Sequence, residues 1–359
     1  MTTSPSSRRK FTGITIPEPL AKLWTLVVPL LVVWVVSLAT SFVSQTAAID
    51  LGYALANLIL VVAMWTFIGN SGVLSFGHIA FVAVGAWTLS LLTIPPNIKS
   101  AIMPDLFPFL AQASASPFVA LIIAGVVAGL VALLSGLALM RLNGLEAGIA
   151  TFALLMLVVQ ILTYWKQIGP KAGQSMTGLP RSFDLQSILF IALAVIALAW
   201  LYGRSRSARM LRASRDNVQA APASGIRVTL HRLIAFTVSG ALAGIGGAVW
   251  VQLNGVAQAS QFSLAFTFTA VAMLVVGGML SMWGAVVGAL AISALSHILG
   301  LFEKGMQLGD VVVSLPSGSR LITLGAIMVI ILIFRPSGIT GGREATWPFK
   351  PRITPISGS

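Results

Sequence analysis

Few side chains in this sequence are able to do chemistry, and they are scattered. There are nine carboxylates, Glu18, Asp50, Asp105, Glu146, Asp184, Asp216, Glu303, Asp310 and Glu344, and three histidines, His78, His231 and His297. Cysteine is absent, so there is no disulfide framework and no thiolate metal site. No two carboxylates stand at acid–base spacing, and the histidines have no metal-ligand spacing. No GxxxxGK[ST] loop is present to cradle a nucleotide phosphate, and no GxSxG elbow to present a nucleophile. These absences argue against an enzyme, a resident cofactor or metal, and an ATPase within the chain.

Two stretches carry more information. Residues 204–232 are strongly cationic and patterned. Arg204 to Arg215 reads as an amphipathic helix that includes Arg212 and Arg215, and Asp216-Asn217 reads as a break or cap. A short helix then contains Ala220 and Ala221 and is stopped by Gly225. Small residues in such a turn can seat in a partner's groove. The same loop can instead merely fix topology or touch anionic headgroups. The second stretch, Gly69-Asn-Ser-Gly-Val-Leu-Ser-Phe-Gly-His78, interrupts two apolar runs without a formal charge. Irregular backbone at membrane depth must be buried in protein or line a cavity. Two readings stand open: a solute-path lining with Ser75 and His78 as polar handles, or an ordinary turn with His78 on a backbone carbonyl.

The elements that must hold these stretches are membrane helices. Of all residues 57 % are hydrophobic and 9 % charged, with a mean hydropathy of +0.95. A soluble domain carries about a quarter charged residues, so lipid is the solvent this chain fits. Apolar runs predict ten spans, near residues 23–42, 51–68, 78–94, 117–140, 145–164, 187–202, 233–253, 264–280, 284–301 and 319–334. The spans after Leu51, Ser187 and Leu264 are short enough to be tilted, broken or re-entrant. The first run is expected to be an uncleaved span, not a signal peptide. With the N-terminus inside, 16 of the 22 Lys and Arg residues fall on the cytoplasmic side. That asymmetry supports ten crossings with both termini inside. The net charge of +13 is thereby a topology signal, not a nucleic-acid footprint. Small residues four apart, Gly125 and Gly129, Gly240 and Gly244, Gly284 and Gly288, predict close helix packing. The glycines at 240–247 follow no strand, so helix packing is preferred there over a dinucleotide fingerprint.

At this point the motifs resemble a known family. Arg209-Met-Leu-Arg-Ala-Ser-Arg-Asp-Asn217, then Ala220-Ala221, Gly225-Ile226 and the 233–244 helix are similar to a cytoplasmic loop and following helix of bacterial branched-chain amino-acid ABC permeases. The likeness is to the longer of the two permease subunits. In the family's order come Gly72-Val-Leu-Ser-Phe-Gly-His78, Gly85-Ala86, Ile149-Ala-Thr151 and Thr177-Gly-Leu179. Gly277-Gly278, Ser281-Met-Trp-Gly284 and Phe334-Arg-Pro-Ser-Gly338 follow. The chain departs from the family pattern at Val218, Pro222, Leu280, Ala285, Glu146 and Gly148.

The resemblance implies that Arg212, Arg215, Asp216, Ala220, Ala221 and Gly225 form the coupling element that docks on an ATP-binding subunit. It implies a pathway near Gly72, Ser75, Gly77, His78, Thr151, Gly277 and Gly278. The implied partners are a second homologous permease, two ATP-binding subunits and an extracytoplasmic solute-binding protein, in a bacterial inner membrane and without nucleic acid. We therefore expect an all-α polytopic protein: a cytoplasmic tail at 1–22, a permease domain at 23–335 and a cytoplasmic tail at 336–359. Its expected function is ATP-driven import of branched-chain amino acids. The alternatives are a urea or short-amide importer of the same type and, outside the class, a stand-alone secondary transporter or channel.

Overall fold

The computed structural model describes residues 14–16, 18–41, 45–171, 173–215, 217–303, 305–308, 311–313, 315–316, 318–345 and 349–351. In chain order, α1 (Glu18–Ser41), α2 (Gln45–Ser71) and α3 (His78–Thr93) lead into two short helices, α4 (Pro96–Ile102) and α5 (Pro108–Gln112). Then come α6 (Pro117–Leu139), α7 (Gly144–Tyr164), α8 (Leu185–Gly203) and the short α9 (Arg206–Ala213). The chain continues through α10 (Val228–Asn254), α11 (Leu264–Gly277), α12 (Met282–Glu303) and α13 (Ser319–Phe334). Each of the ten expected spans coincides with one of these helices. Seven are long and apolar enough to cross a bilayer unaided. α11 and α13 are shorter, at 14 and 16 residues, and α3 ends in a 118° bend into α4.

Two boundary expectations change. The span after Leu51 is not short: α2 has 27 residues and remains helical as far as Ser71. The irregular stretch is therefore confined to residues 72–77. The span after Ser187 is likewise sufficient, at 19 residues. Of the three, only the span after Leu264 is short.

Contacts sort the helix ends into two layers. At one end Asn70 meets Arg212, Arg232 meets the turn before α7, and Glu344 meets the start of α12. At the other, Tyr53 meets Asn254, Gln252 meets Ser182, and His297 meets Asp50. The strand β1 (Ile14–Ile16) pairs in parallel with β4 (Phe349–Pro351), which puts the two terminal segments at one end. A second two-strand pair, β2 (Met306–Leu308) with β3 (Val311–Val313), lies between α12 and α13.

The core is α2, α3 and α10, with α6 packed against α10 and α3. Little apolar sequence distinguishes inside from outside here, because lipid solvates Leu as well as a neighbouring helix does. Size distinguishes them instead. Gly244 faces Ala128 and Ala124 of α6, Gly240 faces Ala132, and Gly129 faces Ala241. A Cβ at Gly85 would lie 2.1 Å from the Gly244 carbonyl oxygen, and one at Gly247 would lie 1.9 Å from the Val82 oxygen. Gly288 approaches the Met273 oxygen in the same way across α11 and α12. Bulk faces outward: Phe118, Ile122, Val126, Leu130, Leu134 and Leu137 of α6 are exposed to the lipid zone.

At the outer end Lys99 is fully buried, and its Nζ donates to the Leu110 and Ala113 carbonyls at the close of α5. Burial lowers its pKa from the usual lysine value. The cation thus satisfies carbonyls that a helix end leaves without partners.

Two outcomes test this architecture. Reporter fusions after Arg215 and after Arg343 should both read as cytoplasmic; an extracytoplasmic signal at either breaks the topology. Gly247→Val should lower the thermal stability of the detergent-solubilised protein, by about 1–3 kcal/mol for overpacking. Gly300→Val, with open space where its Cβ would stand, should leave it nearly unchanged.

Candidate functional site: the cytoplasmic loop and the buried irregular segment

α9 starts because Ser205 caps it: its hydroxyl accepts from the Ala208 amide at 3.2 Å. The helix is one-sided, with Ala208 and Leu211 buried and Arg206 and Arg209 on other faces. Arg212 points inward. Its Nη2 donates to the Gly203 carbonyl at 2.7 Å, and its Nη1 donates to Asn70 Oδ1. Arg215 Nη1 donates to the Gly69 carbonyl at 3.2 Å. Gly69 and Asn70 belong to the last turn of α2, and Gly203 ends α8. Both arginines therefore sit where a helix C-terminus presents bare carbonyls and partial negative charge. They fasten α9 to the inner ends of two membrane helices. Burial lowers the Arg212 pKa from its usual value, with the nearby Arg215 adding to the effect. Asn70 Nδ2 donates to Thr66 O at 2.8 Å, which aims its oxygen at the guanidinium.

Beyond Asp216, which lies outside the described residues, Asn217 Oδ1 accepts from the amides of Gln219 and Ala220 at 3.1 and 3.0 Å. This is the capping turn expected of that residue. A short 3-10 helix, Ala221–Ser224, follows. It ends on Gly225 at φ +75°, whose amide donates to Pro222 O while the Ile226 amide donates to Ala221 O. That pair of bonds is the Schellman arrangement, and it needs a left-handed residue at Gly225. Ala220 and residues 222–225 are exposed, whereas Ala221 is 6 % exposed and packs within its own chain. Of the two alanines, only Ala220 is presented outward. Beside this tip lies an open cleft of about 630 Å³ whose lining includes Arg141, Pro222, Gly225, Arg227 and Arg232. Arg232 is 4 % exposed and donates to Leu142 O and Asn143 Oδ1 at 3.2 and 2.7 Å, tying α10 to the turn before α7.

From Gly72 at φ +70°, residues 72–77 turn back into the bundle. A Cβ at Gly72 would collide with the Arg215 side chain at 2.6 Å, so the loop clamp and the irregular segment touch. Ser75 and Gly77 are buried, and the Gly77 amide donates to Ser75 Oγ at 3.4 Å. The Phe76 amide donates to Thr151 Oγ1 at 3.2 Å, and a Cβ at Gly77 would lie 2.5 Å from the Thr151 carbonyl oxygen. His78 is fully buried within reach of the rings of Phe67, Phe81 and Phe236. Its Nε2 lies 2.7 Å from Ser239 Oγ, which in turn donates to the Ala63 carbonyl at 2.6 Å. That chain ties the start of α3 to α10 and α2.

Gly277 ends α11 and Gly278 opens the turn to α12. The Ile339 and Thr340 amides donate to the Val276 and Gly277 carbonyls at 2.8 and 3.2 Å, so the C-terminal segment closes over this turn. Glu344 accepts from the Met282 and Trp283 amides at 2.8 and 3.2 Å, capping the start of α12, and burial raises its pKa above the ordinary glutamate value. Sequence reasoning missed Asn70, Ser239, Arg232 and Glu344 as positioning groups. Their partners lie 60 to 180 residues away, and no local pattern marks such pairs.

Removing the clamp should loosen it measurably. Arg212→Ala or Arg215→Ala each deletes a charge-assisted bond of about 1.5–3 kcal/mol, so amide exchange across 206–215 should accelerate roughly 10- to 100-fold. Arg209→Ala, whose exposed guanidinium reaches only the Arg204 carbonyl, should change it less than about threefold.

Comparison with known proteins agrees with this architecture. The family model described as "Branched-chain amino acid transport system / permease component" matches residues 48–332. The high-affinity branched-chain amino acid transport system permease protein LivM of Salmonella typhimurium is 23% identical over 344 residues, covering 86% of this chain and 74% of that protein. LivM of Escherichia coli K12 is 23% identical over 85% of this chain and 72% of its own length. The autoinducer 2 import system permease protein LsrC of Yersinia pseudotuberculosis is 27% identical, over 49% of this chain and 52% of its own. No solved structure matches. The match over residues 48–332, together with a multi-span helical bundle among the described residues, places this chain in the permease-component family of the branched-chain amino acid transport system.

Proposed function

We propose that this chain is one of two permease subunits of an ATP-binding-cassette importer for branched-chain amino acids in a bacterial inner membrane. It would assemble with a homologous permease, two ATP-binding subunits and an extracytoplasmic solute-binding protein. The observation that carries the reading is the arginine clamp between loop and membrane helices. A loop that only fixed topology would need positive charge but no fitted contacts. Here Arg212 and Arg215 bond the last carbonyls of α8 and α2, while Gln219, Ala220 and residues 222–225 of the capped tip are left exposed.

In this reading the tip around Ala220 and Gly225 seats on an ATP-binding subunit. Closure of the two ATP-binding subunits pushes the tip, and α9 passes the force to α2 through Arg212 and Arg215. Asp216 belongs to the same element. Gly72, Ser75, Gly77 and Thr151, with the Gly277–Gly278 turn, border this chain's half of the solute path at its inner end. His78, held by Ser239, positions that segment from behind. Opening of the path then alternates between the two membrane faces. The LivM relatives favour branched-chain amino acids as the solute. The LsrC relatives keep an autoinducer 2-like solute as the second reading.

The chain by itself should show no ATP-dependent uptake in liposomes, since it carries no phosphate loop. Within the assembled importer, Ala223→Trp adds bulk at an exposed tip position. Gly225→Val forces a β-branched residue into left-handed backbone, at a cost of about 1–2 kcal/mol. Both should reduce co-purification of the ATP-binding subunit and leucine uptake, at equal permease level in the membrane. Full assembly and uptake in both variants would leave the loop without a coupling role.

A further inference from the structure

At the outer end a cleft of about 550 Å³ opens between α2 and α10 on one side and α11, α12 and α13 on the other. Its size falls within the ~300–1,000 Å³ typical of small-molecule sites. Its lining differs from the rest of the membrane domain in charge. Asp50 stands on α2 and Arg320 at the start of α13, on opposite walls. Asp50 Oδ2 lies 3.0 Å from His297 Nδ1 on α12, which holds the carboxylate in place with the side chain 37% exposed. The Arg320 side chain is exposed, and among the described residues no carboxylate lies within ion-pair distance of its guanidinium. Between these charges runs an apolar wall. Trp250 and Phe266 face one another at 5.5 Å, and Met273 lies buried toward the membrane interior.

We propose that this cleft is a recognition subsite for the zwitterionic head of an amino acid on its way from the binding protein into the permease. Arg320 takes the α-carboxylate, for which a planar guanidinium offers two parallel donors. Asp50 takes the α-ammonium. The hydrocarbon side chain lies along Trp250, Phe266 and Met273, where its burial adds affinity without polar partners. A neutral solute such as urea would leave the Arg320 guanidinium without a carboxylate partner. A permease that recognised only apolar bulk would need neither charge at the mouth of a bundle this poor in charge. α12 packs along α2 and is tied to it by Asn57 with Ser293 and by Asp50 with His297, so the Asp50 wall is fixed, while Arg320 reaches the cleft from α13. A solute bridging Asp50 and Arg320 therefore joins α13 to that wall. This inference rests on the amino-acid reading of the preceding subsection.

The test uses the full importer in proteoliposomes with saturating binding protein, and reads labelled leucine moved per ATP hydrolysed. A folding or docking defect lowers both quantities and leaves their ratio in place; loss of solute recognition lowers the ratio. Asp50→Asn and Arg320→Gln should each lower it about tenfold, as loss of one charge-assisted contact predicts. Arg320→Lys, which keeps the charge, should recover part of that loss. If wild-type importer moves leucine and both neutral variants keep its ratio, the subsite is overturned and the importer reading stands. Equal loss in the Lys and Gln variants overturns the electrostatic role as well. If wild-type importer moves no leucine, the solute reading and the subsite fall together.

Discussion

Backbone contact between helices, permitted by glycine, is the constraint on which the rest of this structure depends. In lipid there is no gain from hiding leucine, so a bundle coheres through close packing and internal polar bonds. Gly85 against Gly244, Gly247 against Val82 and Gly240 against Ala132 bring α3, α6 and α10 to distances that any side chain would prevent. The bulky residues are pushed to the outer faces as a consequence. The same contact leaves α2 and α10 with few exposed positions, and it lets the polar chain from His78 through Ser239 to Ala63 close within the buried core. Buried polar groups of this kind hold when they are paired with one another.

In the proposed reading, a packed core makes the 204–232 loop mechanically useful. α9 is short and carries little apolar surface, so on its own it would fray. Arg212, Arg215 and Asn70 attach it to the ends of α2 and α8, using carbonyls that the helices leave open. Arg232 does the same between α10 and the turn before α7. Force applied at the exposed tip has stiff elements to follow into the membrane. Packed interfaces resist continuous deformation, so displacement is expected as motion of whole units.

Much of the fold was legible in the sequence because its determinants are local. Apolar runs mark all ten long helices, small residues four apart mark the packing faces, and the loop's caps at Asn217 and Gly225 lie beside the helices they end. The length of α2 was misjudged because Gly69 and Asn70 look like breakers. In the bundle a helical Gly69 is required by the close approach of Trp65 and Met279, and Asn70 bonds to its own helix and to Arg212. What the sequence could not display was direction. A cationic amphipathic helix is legible, but not that Arg212 and Arg215 turn inward on it, nor that Ala221, implied by resemblance to dock, packs within its own chain. For His78 the sequence leaves two readings open, a polar handle on the path or a turn residue on a backbone carbonyl; the side chain sits among phenylalanines with Nε2 on Ser239. Asp50 and Arg320 are 270 residues apart, and only tertiary structure puts them on one cleft.

The central claim is that the loop and the glycine-packed core move as one body when ATP is bound. The chain contains no cysteine, so two introduced at exposed sites can carry spin labels without competing thiols. Ala213 on α9 and Phe118 at the outer end of α6 are such sites, at opposite ends of the unit. The distance between these labels should be measured in the assembled importer, nucleotide-free and ATP-trapped. The account predicts a change of no more than about 2 Å, the scale of small shifts within a packed unit. A change of about 5 Å or more, one helical turn, would show that the loop slides on the core and would contradict it.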